Sequence, residues 1–315
     1  MNTPRILAAS GQQFTLRRGG GCVIVASLAA GLRYYDRAGV ELVESYGTDG
    51  TAPGAAGITL APFANRVDGG RWELNGTVQQ LDITEVERNN AIHGLLRNTG
   101  YTALESSDHH VLLEAGIFPQ HGYPFLARHQ VRYELLESGE LRVEQTLIND
   151  SPTPAPFVLG AHPYFRIGNT APEELTIMVD AQTRLAVTDR MIPTDRVPVG
   201  GIYDLRHGRP VKDAVMDTAF THLAGSAADD GPSADDGVTR HTLHAPDGRS
   251  VSLWHDGTVR YVHVYITETF PGRSLAVAME PMTGPANAFN SGEGLKWLEP
   301  GASFTMRWGI DSVLE

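Results

Sequence analysis

The chain has 315 residues, a formal net charge of −12 and a hydrophobic fraction of 41%. Its 34 Gly and 19 Pro make up about one residue in six, against about one in eight on average, which argues against a helical bundle or a βαβ repeat and favours short strands joined by turns. The acidic balance argues against a nucleic-acid binder, which needs a basic footprint, and the apolar content is too high for a disordered chain.

In chain order, the first apolar run is Cys22 to Leu32, behind Arg17 and Arg18. Eleven residues with Ser27 and Gly31 inside are too few to span a membrane, so the run reads as a buried strand and turn, and no targeting segment is expected. Cys22 is the one cysteine. It excludes an intrachain disulfide and a cysteine-based zinc site, and a reducing, cytoplasmic compartment is the simplest reading. Arg71 to Leu81 reads as a hairpin turning at Asn75-Gly76. Arg128 to Asn149 reads as another, turning at Ser138-Gly139, with Val131, Tyr133 and Leu135 alternating against polar neighbours. Glu173 to Ile192 holds Leu175, Ile177 and Val179 at period two and reads as strand, not helix. Gly225 to Gly237 is small and acidic and reads as a mobile surface loop within one domain. Phe304, Met306, Trp308 and Ile310 mark a last half-buried strand. The even strand spacing predicts an all-β sandwich or barrel, a single domain over residues 1–315.

Several chemistries are missing. No P-loop, dinucleotide fingerprint, G-x-S-x-G elbow or H-E-x-x-H helix is present. His109 and His110 are adjacent and would point to opposite faces of a strand, which makes them poor metal partners. His241 and His244 read as surface residues, and His207, His222 and His255 carry no motif. No metal and no cofactor is expected, and acid–base chemistry remains.

Four segments combine titratable, aromatic and turn residues: Leu60–Val67, Asn89–Leu95, Leu159–Phe165 and Leu275–Pro281. In the last, Leu275, Val277 and Met279 share one face, and Ala276, Ala278 and Glu280 the other. A carboxylate on a face otherwise kept small leaves room for a ligand, although the same alternation suits an edge residue facing water. Pro281 is expected to end that strand. Taken singly, His162 also fits a core histidine, His93 a turn residue and Arg66 a surface ion pair.

Together, Asn65-Arg66, then His93-Gly94, then His162-Pro163-Tyr164-Phe165, then strand-borne Glu280-Pro281 resemble the aldose 1-epimerase (galactose mutarotase) family. The hairpin Gly69–Gly76 and the closing Leu298-Glu299-Pro300-Gly301 are also similar to it, and the resemblance covers about Ala29 to Ile310. It implies a large antiparallel β-sandwich of the galactose mutarotase-like supersandwich kind, with sugar bound in a cleft on one sheet. By motif, Glu280 falls at the general base and His162 at the general acid. Arg66, His93 and Asn65 fall at sugar-binding positions, and Asp217 resembles an Asp that holds sugar hydroxyls. Tyr164, Phe165, Phe63, Phe289, Trp254 and Tyr265 are candidates for apolar contact with the sugar or for core packing.

The sequence departs from galactose mutarotases where Arg166-Ile167 follows Phe165, where Leu95 follows Gly94, and in the Leu-Ala-Pro lead into Asn65. It is closer there to epimerase-like bacterial branches, a sulfosugar mutarotase-like branch among them. The implied activity is cofactor-free exchange of the α and β anomers of a free aldose. Glu280 and His162 would stand on opposite sides of the bond that opens. The alternatives are a mutarotase of an anionic sulfo- or phospho-sugar, with Arg97 and Arg166 as extra cations, and a non-catalytic sugar-binding protein. A glycosidase needs two flanking carboxylates, and the motifs supply one. The implied partner is a small sugar, with no nucleic acid and no membrane. The oligomeric state is left open.

Overall fold

The period-two patterns become strands. Ala127–Leu135 and Leu141–Asn149 alternate strictly between core-facing and outward residues, and Gly139 closes their turn with φ +80°. Arg71–Leu74 pairs with Thr77–Gln80 across Asn75-Gly76, both at positive φ, as a two-residue hairpin turn requires. Leu175, Ile177 and Val179 are all buried, around a strand at Thr176–Met178. This computed structural model describes residues 8–224 and 237–315, so the Gly225–Gly237 loop lies, except for its last residue, outside the described residues.

Every strand pair among the described residues is antiparallel, and two large sheets dominate. One has nine strands and carries Ala127–Leu135, Leu141–Asn149, Thr239–His244, Ser250–His255 and the closing Ser303–Val313. The other, the site sheet, has eight. In chain order these are β1 (Thr59–Leu60), β2 (Gly160–Ala161), β3 (Tyr164–Phe165), β4 (Ala181–Val187), β5 (Pro193–Pro198), β6 (Met216–Leu223), β7 (Tyr261–Thr267) and β8 (Ala276–Met282). Their spatial order is β5-β4-β6-β7-β8-β2-β1, with β3 also on β8. The single α-helix among the described residues is one turn, Ala288–Ser291. No helix among them is long and apolar enough to cross a membrane.

The inner faces of both sheets share one buried cluster running from Phe14 to Ile310. Val262, Val264 and Ile266 of β7 and Leu275, Val277 and Met279 at β8 belong to it. Alternation therefore turns Tyr261, His263 and Tyr265, and Ala276, Ala278 and Glu280, to the opposite face. The site is built on that face. β8 does not stop at Pro281 as expected but runs to Met282. Its pairing on the β2/β3 side is interrupted between Gly160–Met282 and Tyr164–Ala278, so a residue without an N–H disrupts no ladder there.

Candidate active site

A cavity of about 790 Å³ opens on the outer face of the site sheet. Asn65, Arg66, His93, His162, Asp217 and Glu280 all line it. Residues scattered from position 65 to position 280 thus converge on one place.

Local structure explains how. A ribbon pairs Arg66 with Ile92, and the His93 N–H donates to the Asn65 carbonyl at 2.9 Å. The Asn-Arg and His-Gly motifs are therefore the two ends of one small unit. Gly94 has φ +76°, and a Cβ there would lie 2.2 Å from the Ala61 carbonyl oxygen, so only glycine lets the ribbon close against the sheet. His162 occupies the break between β2 and β3. Its backbone N–H donates to Ile58 O (3.0 Å) and its carbonyl accepts from Gly57 N (2.8 Å). The Tyr164 ring stacks on its imidazole with centroids 5.1 Å apart.

Glu280 is buried, and its Oε1 lies 3.2 Å from His162 Nε2. The two touch rather than face each other across a gap. The reading of Glu280 as a water-facing edge residue therefore fails, as does that of Arg66 as a surface ion pair. Arg66 is nearly covered, grips Glu85 through Nε and Nη2 at 2.9–3.1 Å, and lies 3.7 Å from Asp217. Its Nη1 donates to Asn65 Oδ1 at 3.2 Å. Asp217 Oδ1 lies 2.5 Å from Nε2 of His263 on the adjacent strand β7.

The electrostatics follow from these neighbours. Burial pushes His93 well below its ordinary value, reinforced by the positive charges of His162, Arg97 and Arg66. Burial also lowers His162, while the Glu280 carboxylate pulls it back up. For Asp217, burial works against the charge, but the hydrogen bond and charge of His263, with Arg66 and Arg88, prevail and lower it to about 2. For His263, burial again works against the charge, and Glu280 and Asp217 prevail and raise it. Of the buried side-chain atoms without a hydrogen-bond partner among the described residues, four gather at the cavity: Nδ1 of His93, His162 and His263, and Oε2 of Glu280. Buried polar atoms are normally satisfied, so this cluster marks a place for a polar ligand.

Other expectations need correcting. Of the aromatic candidates, only Tyr265 lines the cavity. Phe63 and Phe289 pack edge-to-face in the core, Phe289 also against Trp72, and Phe165 is core as well. Arg166 is tied to Glu41 at 2.6 Å and to Gly168 O, away from the cavity. Arg97 lines the cavity and has no ion pair or hydrogen bond among the described residues. His241, read as a surface residue, is fully buried with its Nε2 3.1 Å from that of His255; His244 is exposed as expected. Sequence reasoning missed Glu85 and His263. The Tyr261-x-His263-x-Tyr265 alternation was the available signal for the latter. No group of three or more metal-ligating side chains occurs among the described residues.

A family profile described as Aldose 1-epimerase matches residues 13–310. The chain belongs to the aldose 1-epimerase family. This places it among isomerases acting on small sugars. An uncharacterized protein, YihR of Escherichia coli K12, is 32% identical over 302 residues, covering 96% of this chain and 93% of that relative. Among solved structures, a GalM/aldose epimerase homologue from Caenorhabditis elegans aligns with a TM-score of 0.81 at 16% identity, covering 96% of this chain and 98% of that one. The galactose 1-epimerase of Lactobacillus acidophilus aligns with a TM-score of 0.75 at 20% identity, over 95% and 93%. The all-β, galactose mutarotase-like fold expected from the sequence is thus the fold of these neighbours.

Proposed function

We propose that the protein is a cofactor-free mutarotase of a free aldose, with Glu280 as base and His162 as acid. The supporting observation is the buried Glu280–His162 contact at 3.2 Å on the wall of a polar cavity. Anomer exchange needs the C1 hydroxyl to lose a proton and the ring oxygen to gain one. Both oxygens are bonded to C1, so an acid and a base standing side by side reach both. Glu280 takes the hydroxyl proton, protonated His162 gives one to the ring oxygen, and the C1–O5 bond opens to an aldehyde. Rotation about C1–C2 exposes the other carbonyl face, and reclosure returns both protons. His162 must carry its proton at the first step. Burial opposes this and the Glu280 charge favours it.

Arg66, Asn65, His93 and Asp217 surround this pair as hydroxyl-binding groups in the proposal. Neutral His93 both donates and accepts, which suits a hydroxyl. Asp217 and Arg66 offer charge-assisted bonds. The continuous core from Phe14 to Ile310 supports one domain over residues 1–315. The lone Cys22 supports a cytoplasmic setting.

A second reading, an anionic sugar, is favoured by Arg97. A half-buried guanidinium without a counter-ion among the described residues, on the cavity wall, suits a sulfonate or phosphate substituent. The test is exchange NMR of anomers for neutral hexoses and for 6-phosphorylated and 6-sulfonated hexoses. Faster exchange of an anionic sugar, lost in Arg97→Ala, decides for the second reading. Equal rates decide for the first. Saturable binding with no rate effect on any sugar sinks both and leaves a sugar-binding protein.

A further inference from the structure

Beyond the acid and base, the cavity holds a third arrangement. His263 lies on β7 directly across from Glu280 on β8 in the strand register. On its other side is Asp217 of β6, at 2.5 Å. The imidazole thus sits between two carboxylates on one face of the sheet, and it is nearly covered. We propose that His263 is a positioning residue of the reaction: held by Asp217 and facing Glu280, its imidazolium is the positive charge that lets two carboxylates share one buried cavity.

Asp217 on β6 and Glu280 on β8 flank β7 on one face, and two like charges so placed repel, the more strongly where water is excluded. A cation fixed between them removes that cost. Arg66 serves Asp217 only from 3.7 Å and is committed to Glu85. The remaining groups around His263 are His162 in the β2–β3 break and His93 on the ribbon, both driven toward the neutral form by burial. Of the three cavity histidines, His263 alone is raised, burial being outweighed by Glu280 and Asp217. His263 is therefore the cavity histidine whose neighbours most favour the cation, and Asp217, first read as a sugar-hydroxyl ligand, has a second task in keeping it there.

This inference rests on the mutarotase reading for its kinetic consequence but not for its charge state, and the experiment separates the two. Anomer exchange is measured from about pH 5 to about pH 9 for the parent protein, His263→Gln and Asp217→Asn, alongside NMR titration of the His263 imidazole. Gln keeps a donor for Asp217 and removes the charge. In the expected result His263 titrates above about 6.5 and falls in Asp217→Asn. His263→Gln then loses at least about tenfold in kcat/KM, and the alkaline limb of the parent profile moves, leaving only the part set by the His162 proton. A merely structural role would leave the profile unmoved. His263→Gln with the parent rate and profile, or His263 titrating below its ordinary value, overturns the inference. If the parent exchanges no sugar, the functional reading falls, and the titration still decides the charge of His263.

Discussion

His255 and His263 lie eight positions apart on consecutive strands, one in the nine-stranded sheet and one in the site sheet. Both are buried, and their surroundings push their ionisation in opposite directions. His255 Nδ1 is 2.9 Å from the Asp256 carbonyl, which can only accept, so that nitrogen carries the hydrogen. Its Nε2 then accepts from His241 at 3.1 Å, and a neutral pair is closed. Burial lowers His255 to about 4 and His241 well below its ordinary value. His263 experiences the same burial but faces Asp217 and Glu280, and it is raised. Burial alone makes a histidine an inert packing element. Carboxylates on adjacent strands favour its charged form instead.

The largest effect is expected at the Glu280 carboxylate. Glu280→Gln should cost about 10²–10⁴-fold in anomer-exchange kcat/KM, with His162→Asn similar, while circular dichroism shows an intact fold. Retained activity in both would remove the chemical half of the contrast. The neutral pair should be felt in stability instead. In the unfolded chain His255 takes up its proton near about 6.5, and in the folded chain near about 4. Its contribution is therefore present above the unfolded value and lost as pH falls through the folded one, a loss on the order of 3 kcal/mol. Melting temperature should drop between those limits, and His255→Gln should flatten the slope whatever its effect on stability at neutral pH. His263 has the opposite sign. Its contribution is complete below the unfolded value and is lost as pH rises through the raised folded value.

The smallest effect is expected for Asp217→Asn, which removes one charged hydrogen bond to His263. By the usual worth of such a bond it should cost about 10–100-fold in kcat/KM, with the His263 titration moving toward that of an ordinary imidazole. An unchanged titration would assign the charge of His263 to Glu280 alone.

How far the site could be read from sequence depended on whether a residue's partners were local. For Glu280 the five-residue pattern with Ala276 and Ala278 suggested a face with room beside it but suited a water-facing edge equally, and the resemblance singled it out. The hairpins at Asn75-Gly76 and Ser138-Gly139 were legible because their turn signal is local. His263 was not, because its meaning comes from carboxylates on two neighbouring strands. Arg97 and Arg166 looked alike beside their histidine motifs, and only the fold gave Arg166 to Glu41 and left Arg97 on the cavity wall. His241 looked like a surface residue because its partner, His255, is fourteen positions away across a strand pair.

The ribbon that joins Asn65 to His93 also bears on how the molecule comes into being. The groups it carries meet Glu280 from 215 positions away in the chain, and closing so long a loop costs entropy before any contact rewards it. No fragment shorter than the span from Asn65 to Glu280, about two thirds of the chain, can hold both halves of this cavity. A chain truncated within that span would therefore lose the proposed sugar-binding groups or the proposed acid–base pair, never hold both.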